Sequence, residues 1–233
     1  MSGHQHGPPV VPSASTPALL PPNGLEQKMV SSWRLLATLF IAGAAAGILV
    51  VFVYRLTLPA IQKYAGAKID GAVREVLRSP AKVDTLYFVG NKLVAKLPAG
   101  LDVRESTKMF VGRNDQGERT GVAVEAAEPG FQEELRLMVG FDPATRAVTG
   151  YHVLDQKETP GLGDKIEKDK AFGTQFAGKV APIKGVKLAT SDPGQVQTIT
   201  GATISSRAVI RIINNAVAQW LPRVQAFEQE GGK

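Results

Sequence analysis

The run Thr198-Ile199-Thr200-Gly201-Ala202-Thr203-Ile204-Ser205-Ser206-Arg207 sets small and hydroxylated residues directly before a strongly periodic apolar segment. Val209, Ile212, Ile213, Val217, Trp220 and Leu221 recur at spacings of three and four, the pattern of one buried helix face. Ser205 or Ser206 is the natural N-cap, so the spacing predicts a helix from about Ser206 to Arg223. A helix start presents unpaired N–H groups and a partial positive charge, which suits a phosphate. Gly201 and Ala202 keep bulk away where a ligand would approach, and Thr203 adds a hydroxyl at that mouth. Capping is the commoner use of such residues, so this stretch alone leaves a cap and a phosphate site both open.

A second segment lies upstream, Lys157-Glu158-Thr159-Pro160-Gly161-Leu162-Gly163. Taken alone it reads as a Pro-Gly turn. Together the two segments resemble the FMN-binding domain of the G subunit of the Rnf electron transport complex, shared with the C subunit of the sodium-pumping NADH:quinone oxidoreductase. The family's Glu-Thr-Pro-Gly-Leu-Gly loop matches Glu158 to Gly163, and its Ser/Thr-Gly-Ala-Thr motif matches Thr200, Gly201, Ala202 and Thr203. The run Ile204-Ser205-Ser206-Arg207-Ala208-Val209 fits the Rnf form better than the sodium-pump form. The family motif carries an acidic residue three positions before its Ser/Thr, where this chain has Gln197.

The resemblance implies FMN bound covalently, through a phosphodiester to Thr203, so that Thr203 is a phosphoryl threonine. It implies that Thr200, Ser205 and Ser206 hydrogen-bond phosphate oxygens, and that Glu158, Thr159, Pro160, Gly161, Leu162 and Gly163 lie near the isoalloxazine. It further implies an electron carrier within a membrane complex that couples electron flow to ion movement, and a flavin transferase for maturation. The expected location is the bacterial inner membrane, with the flavin domain facing the periplasm. Two other readings stay open: a stand-alone anchored flavoprotein, and a non-redox scaffold subunit.

Composition excludes several chemistries. The 233-residue chain has no cysteine, which removes disulfides, thiol catalysis and cysteine-ligated clusters. Its three histidines, His4, His6 and His152, form no ligand cluster, so no metal site is expected. The net charge of +6 comes without a basic stripe interleaved with aromatics, so nucleic acid is not an expected partner. No triad, paired acids or P-loop accompanies the motifs.

Residues 1–32 are rich in Pro, Ser, Gly and His and read as a disordered leader. Leu35 to Tyr54 is almost wholly apolar between Arg34 and Arg55. About 20 such residues span the roughly 30 Å hydrocarbon core of a bilayer. The run is longer than a signal peptide's apolar region and has no clear cleavage site, so residues 33–55 are expected to be an uncleaved transmembrane anchor in the lipid bilayer. Within it, Gly43-Ala44-Ala45-Ala46-Gly47 suits close approach of a partner helix or simple tolerance of small residues in lipid. Arg55, Lys63, Lys68 and Arg74 follow the span, against Lys28 and Arg34 before it. A bare positive-inside count would put the C-terminal side in the cytoplasm, but long domains translocate largely regardless of charge.

Beyond the anchor, a helix is expected over Pro59 to Leu77, within a stalk of residues 56–82. Strands are then predicted at Thr85–Val89, Lys92–Leu97, Lys108–Gly112, Gly121–Glu125, Glu134–Phe141 and Ala147–Leu154, joined by turns at Gly90-Asn91, Asn114–Glu118 and Asp142–Thr145. Successive short strands with tight turns indicate an antiparallel sheet. With a short helix near Lys170–Ala177 and the C-terminal helix, the fold class is α+β: one transmembrane helix, a flavin-binding domain at residues 83–225, and a tail at 226–233.

Overall fold

Apolar residues between Lys82 and Asp155 fall on both faces of a sheet and are buried in two separate clusters. The computed structural model describes residues 31–98, 100–101, 106–188 and 191–231; the leader expected at 1–32 lies almost wholly outside them. The chain divides into two units at residues 56 and 57.

In the first unit, helix α1 (Ser32–Val76) begins. Leu39, Phe40, Ile48, Val50 and Phe52 all stand exposed on it. An 18-residue window has mean hydropathy 2.6 and none of it is buried. A helix apolar on every side needs an apolar surround. Among the described residues it is the one helix long and apolar enough to cross a membrane. The sequence predicts a separate helix starting at Pro59, whereas α1 runs through Pro59 without ending. Proline removes one backbone hydrogen bond and crowds the preceding turn, and the helix formers on both sides outweigh that local cost.

The second unit is built on six antiparallel strands in the order β2-β1-β3-β4-β5-β6: β1 (Lys82–Val89), β2 (Lys92–Val94), β3 (Lys108–Arg113), β4 (Arg119–Pro129), β5 (Glu134–Phe141) and β6 (Val148–Asp155). All six predicted strands are present. Gly90 and Asn91 both take positive φ, as the tight hairpin between β1 and β2 requires. Strand β4 is longer than the sequence suggests, because Ala126 to Pro129 continue pairing with Glu134 to Leu137 of β5.

Side chains alternate across the sheet. Val122, Val124, Leu137, Val139 and Phe141 face a core formed with α4 (Thr203–Gln229), to which Val209, Ile212, Ile213, Val217 and Trp220 contribute. Helices α2 (Lys165–Lys168) and α3 (Lys170–Thr174) add Ile166 and Phe172 to the same layer. On the other face, Ala123 and Met138 meet Ala72, Val73, Val76 and Leu77 at the end of α1. Thr149 Oγ1 donates to the Val76 carbonyl at 2.6 Å, and His152 Nδ1 lies 2.7 Å from Glu75 Oε2. The last turns of α1 are therefore part of the domain core. Val73→Ala should cost about 2 kcal/mol in denaturant unfolding.

Helix α4 extends six residues past the predicted end at Arg223, to Gln229. Val224 and Phe227 explain the extension, since both pack on the sheet. A two-stranded parallel pair, β7 (Lys184–Val186) with β8 (Gln195–Gln197), completes the fold. It is fastened to α4 by Asn214, whose Oδ1 accepts from the Ile183 N–H at 2.7 Å and whose Nδ2 donates to the Ile183 carbonyl at 2.8 Å.

On β1, Asp84 lies 2.8 Å from Lys82 Nζ and 2.7 Å from Arg113 Nε. The Lys82 and Arg113 hydrogen bonds hold its carboxyl below the ordinary value of 3.8. A lowered carboxyl stabilises the fold above its unfolded value, and the gain is lost as pH falls through the folded value. Asp84→Asn should therefore lower stability at neutral pH by less than about 1 kcal/mol, because the pair is partly exposed. The gap from wild type should close in melts taken at progressively lower pH below 3.8.

Candidate functional site

Strand β8 delivers the chain to a tight turn, in which the Ala202 N–H donates to the Ile199 carbonyl at 3.0 Å and Gly201 has φ +83°. Positive φ at that position is the requirement glycine meets. Helix α4 then starts at Thr203, with Ala202 in the cap position and no side-chain cap hydrogen bond. The expectation that Ser205 or Ser206 caps the helix is thus corrected by one turn. Both serines sit inside the first turn because their hydroxyls are used elsewhere. Ser206 Oγ donates to the Ala202 carbonyl at 2.9 Å and accepts from the Ile199 N–H at 3.1 Å. It holds the turn together, fully buried.

Ser205 Oγ donates to Glu158 Oε2 at 2.7 Å. This buried contact joins the two sequence motifs, which are 47 positions apart. The Glu158 carboxylate is 5% exposed, and its other oxygen accepts from the Phe131 N–H at 2.7 Å. A buried carboxylate needs such donors to replace water. Gly163 permits the approach: a Cβ there would stand 2.6 Å from Glu158 Oε2 and 2.9 Å from Ser205 Oγ. The loop between is a compact turn, with the Leu162 N–H donating to the Thr159 carbonyl at 3.1 Å and Gly161 at φ +77°. It runs into α2 through Asp164, whose carboxyl the Lys168 ammonium at 2.6 Å holds below its usual range.

Around these contacts lies a cleft of about 340 Å³ lined by Phe131, Glu158, Thr159, Leu162, Gly163 and residues 201–205, within the range of small-molecule sites. The structure thus brings Glu158, Thr159, Leu162, Gly163, Gly201, Ala202, Thr203 and Ser205 to one place. Thr200, Pro160 and Gly161 are exposed and lie outside the lining, as does the buried Ser206. Sequence reasoning missed Phe131 and Ile204. Ile204 is an apolar residue alone in a polar run, and Phe131 follows the turn signal Pro129-Gly130.

Gln197 stands where the family motif carries an acid. Its Nε2 donates to the Lys187 carbonyl at 3.3 Å, while its backbone N–H donates to Gln175 Oε1 at 2.8 Å. The side-chain bond requires a donor, which a carboxylate cannot supply.

A family model described as the FMN-binding domain matches residues 130–218, a span that holds both motifs and the whole cleft. The G subunit of the ion-translocating oxidoreductase complex of Aliivibrio fischeri (strain MJ11) is 30% identical over 177 residues, covering 74% of this chain and 82% of that protein. This chain belongs to the G-subunit family of ion-translocating oxidoreductase complexes. The G subunit from Vibrio vulnificus is 31% identical over 184 residues, covering 77% of this chain and 85% of the relative. That of Methanosarcina acetivorans is 28% identical, covering 79% and 92%. Among solved structures, the crystal structure of Shewanella oneidensis NqrC aligns with a TM-score of 0.52 at 18% identity, covering 66% of this chain and 88% of that one. The α+β fold of this G-subunit relative is therefore that of the FMN-binding domain.

Proposed function

We propose that this chain is the flavoprotein electron-carrier subunit of a membrane-bound ion-translocating oxidoreductase complex, with FMN esterified to Thr203. The observation that carries the reading is the Ser205–Glu158 hydrogen bond, which draws the two motif segments to a single cleft. The residues there fit the group. Thr203 occupies the first position of a helix whose cap residue offers no side-chain bond, so backbone N–H groups and the helix dipole are free to meet a phosphodiester. Gly201 carries no side chain at the mouth of the cleft, and Leu162 offers a planar ring an apolar face. FMN, when bound, supplies the one- and two-electron redox chemistry, while the protein supplies position, access and electrostatics.

In this reading Thr203 Oγ holds the phosphoryl group, and Ser205 sets the helix start against the loop. Glu158 fixes the loop as a buried acceptor for Ser205 and Phe131. The apolar part of α1 anchors the chain in the bilayer beside the other subunits, and the flavin-binding domain faces outward. A covalent tether suits that side of the membrane, where lost FMN could not readily be replaced from an internal flavin pool. A flavin transferase makes the bond.

The test is the mass of the peptide spanning Thr203 from cells competent to flavinylate: one FMN less water above the bare peptide supports the reading, and an unmodified peptide defeats it. Topology is checked separately. Protease added to spheroplasts should degrade the domain, and protection would place it inside.

A further inference from the structure

We infer that Phe131, at the tip of the β4–β5 hairpin, is a wall of the flavin-ring site outside both sequence motifs, and that Glu158 is the latch that holds it there. The inference rests on the FMN reading above. Phe131 is 58% exposed, and Leu162 at 47% and Ile204 at 57% line the same cleft. Three large apolar side chains from three separate elements converge there without covering one another. Exposed apolar residues scattered singly need no explanation, but a convergent set around a cleft marks a ligand.

The hairpin is held far more firmly than an exposed tip requires. Phe131 donates its N–H to Glu158 Oε1 at 2.7 Å, and Gln132 Nε2 donates to Thr159 Oγ1 at 2.8 Å. At the end of β4 beside the turn, Arg211 Nε lies 2.7 Å from Glu128 Oε2, and Asn215 Nδ2 donates to Glu128 Oε1 at 2.7 Å. Lys157 pairs with Glu133 at 2.6 Å. Gly130 has no room for a side chain, since a Cβ would lie 2.4 Å from Glu158 Oε1. These bonds tie the tip to the motif loop and the adjoining end of β4 to α4, the two elements that form the rest of the cleft. They fix an aromatic side chain that adds nothing to the core. A planar, apolar-faced ring is the ligand class that gains from a rigid aromatic and two aliphatic neighbours.

The experiment uses the full chain in detergent, made with flavin transferase present, and reads iodide quenching of flavin fluorescence beside intact mass. Phe131→Ala should keep the FMN adduct and raise quenching about fivefold, while Phe131→Tyr should stay near wild type. Glu158→Ala, with its fold checked by circular dichroism and read on the flavinylated fraction alone, should raise quenching similarly. The double variant should then add little, since one residue acts through the other. Unchanged quenching in Phe131→Ala overturns the inference. So does unchanged quenching with loss of co-purifying subunits, which would make Phe131 a partner contact. Additive effects overturn the latch. If the wild type carries no adduct, the attachment reading has failed, and titration with free FMN still decides: weaker binding by Phe131→Ala supports the ring wall, and equal binding or none in either chain refutes it.

Discussion

Thr203→Val should abolish covalent flavin completely while leaving the domain folded. In a denaturing gel the wild-type band should fluoresce and the variant band should not, and the intact mass should fall by the adduct. The substitution isolates one atom. Valine matches threonine in shape and β-branching, and the two have nearly equal helix propensity. Thr203 is half-buried at the first position of α4, and among the described residues its hydroxyl makes no hydrogen bond within the chain. The expected stability change is under about 0.5 kcal/mol. Thr203→Ser should keep some fluorescence, because the nucleophilic oxygen is retained. The neighbouring serines cannot give so clean an answer. Ser205→Ala would leave Glu158 Oε2 without its 2.7 Å donor in a buried site, at a cost of about 1–3 kcal/mol. Ser206→Ala would release the Ile199 N–H and loosen the turn that presents Thr203. Loss of flavin in either serine variant could follow from a misplaced helix start, whereas loss in Thr203→Val could not. A fluorescent Thr203→Val band would move the attachment to another hydroxyl.

The contrast between Thr203 and its neighbours shows what the sequence could and could not carry. Apolar periodicity located α4, and turn signals between short runs located the six strands, because both signals are local. The motif pair identified the cleft's loop and helix start by resemblance. What local pattern could not supply was the hydrogen-bond partner of each hydroxyl. A serine before a helix reads as a cap, yet Ser205 and Ser206 were already committed to Glu158 and to the preceding turn. The parallel pair β7 and β8 escaped notice because three residues each, Lys-Gly-Val and Gln-Val-Gln, are too few for a period. Pro59 reads as a helix start, yet it lies inside α1; Pro222 lies inside α4, as the predicted helix to Arg223 already requires. At Pro222 the reason is visible: Val224 and Phe227 beyond it bury apolar surface against the sheet, which outweighs one missing N–H bond. Phe131 was hidden because its significance depends on a hairpin arriving beside a loop 27 residues later in the chain.

Gly163→Ala is expected to do the most damage for the least added mass. The new methyl would sit 2.6 Å from Glu158 Oε2, 2.8 Å from Glu158 Cβ and 2.9 Å from Ser205 Oγ. Real Cβ contacts do not approach so closely, and the Cβ of Glu158 is not the free end of a side chain that can swing aside. Either the loop must retreat from α4 or the Glu158–Ser205 bond must break, and each route separates the two motif segments. Overpacking and a stranded buried polar group together predict a loss of about 2–4 kcal/mol, read as a lower denaturation midpoint. Flavinylation should fall with it, because Thr203 and the loop no longer share one cleft. Gly161→Ala is the matched control two residues away. That glycine has φ +77° but nothing within 4 Å of the added Cβ, so its cost should be backbone strain alone, about 1 kcal/mol, with flavin retained. Equal effects from the two substitutions would mean that the loop tolerates its glycines for conformation only and that the close contact between loop and helix is not what builds the site. A large effect at Gly163 with a small one at Gly161 would tie flavin attachment to that contact.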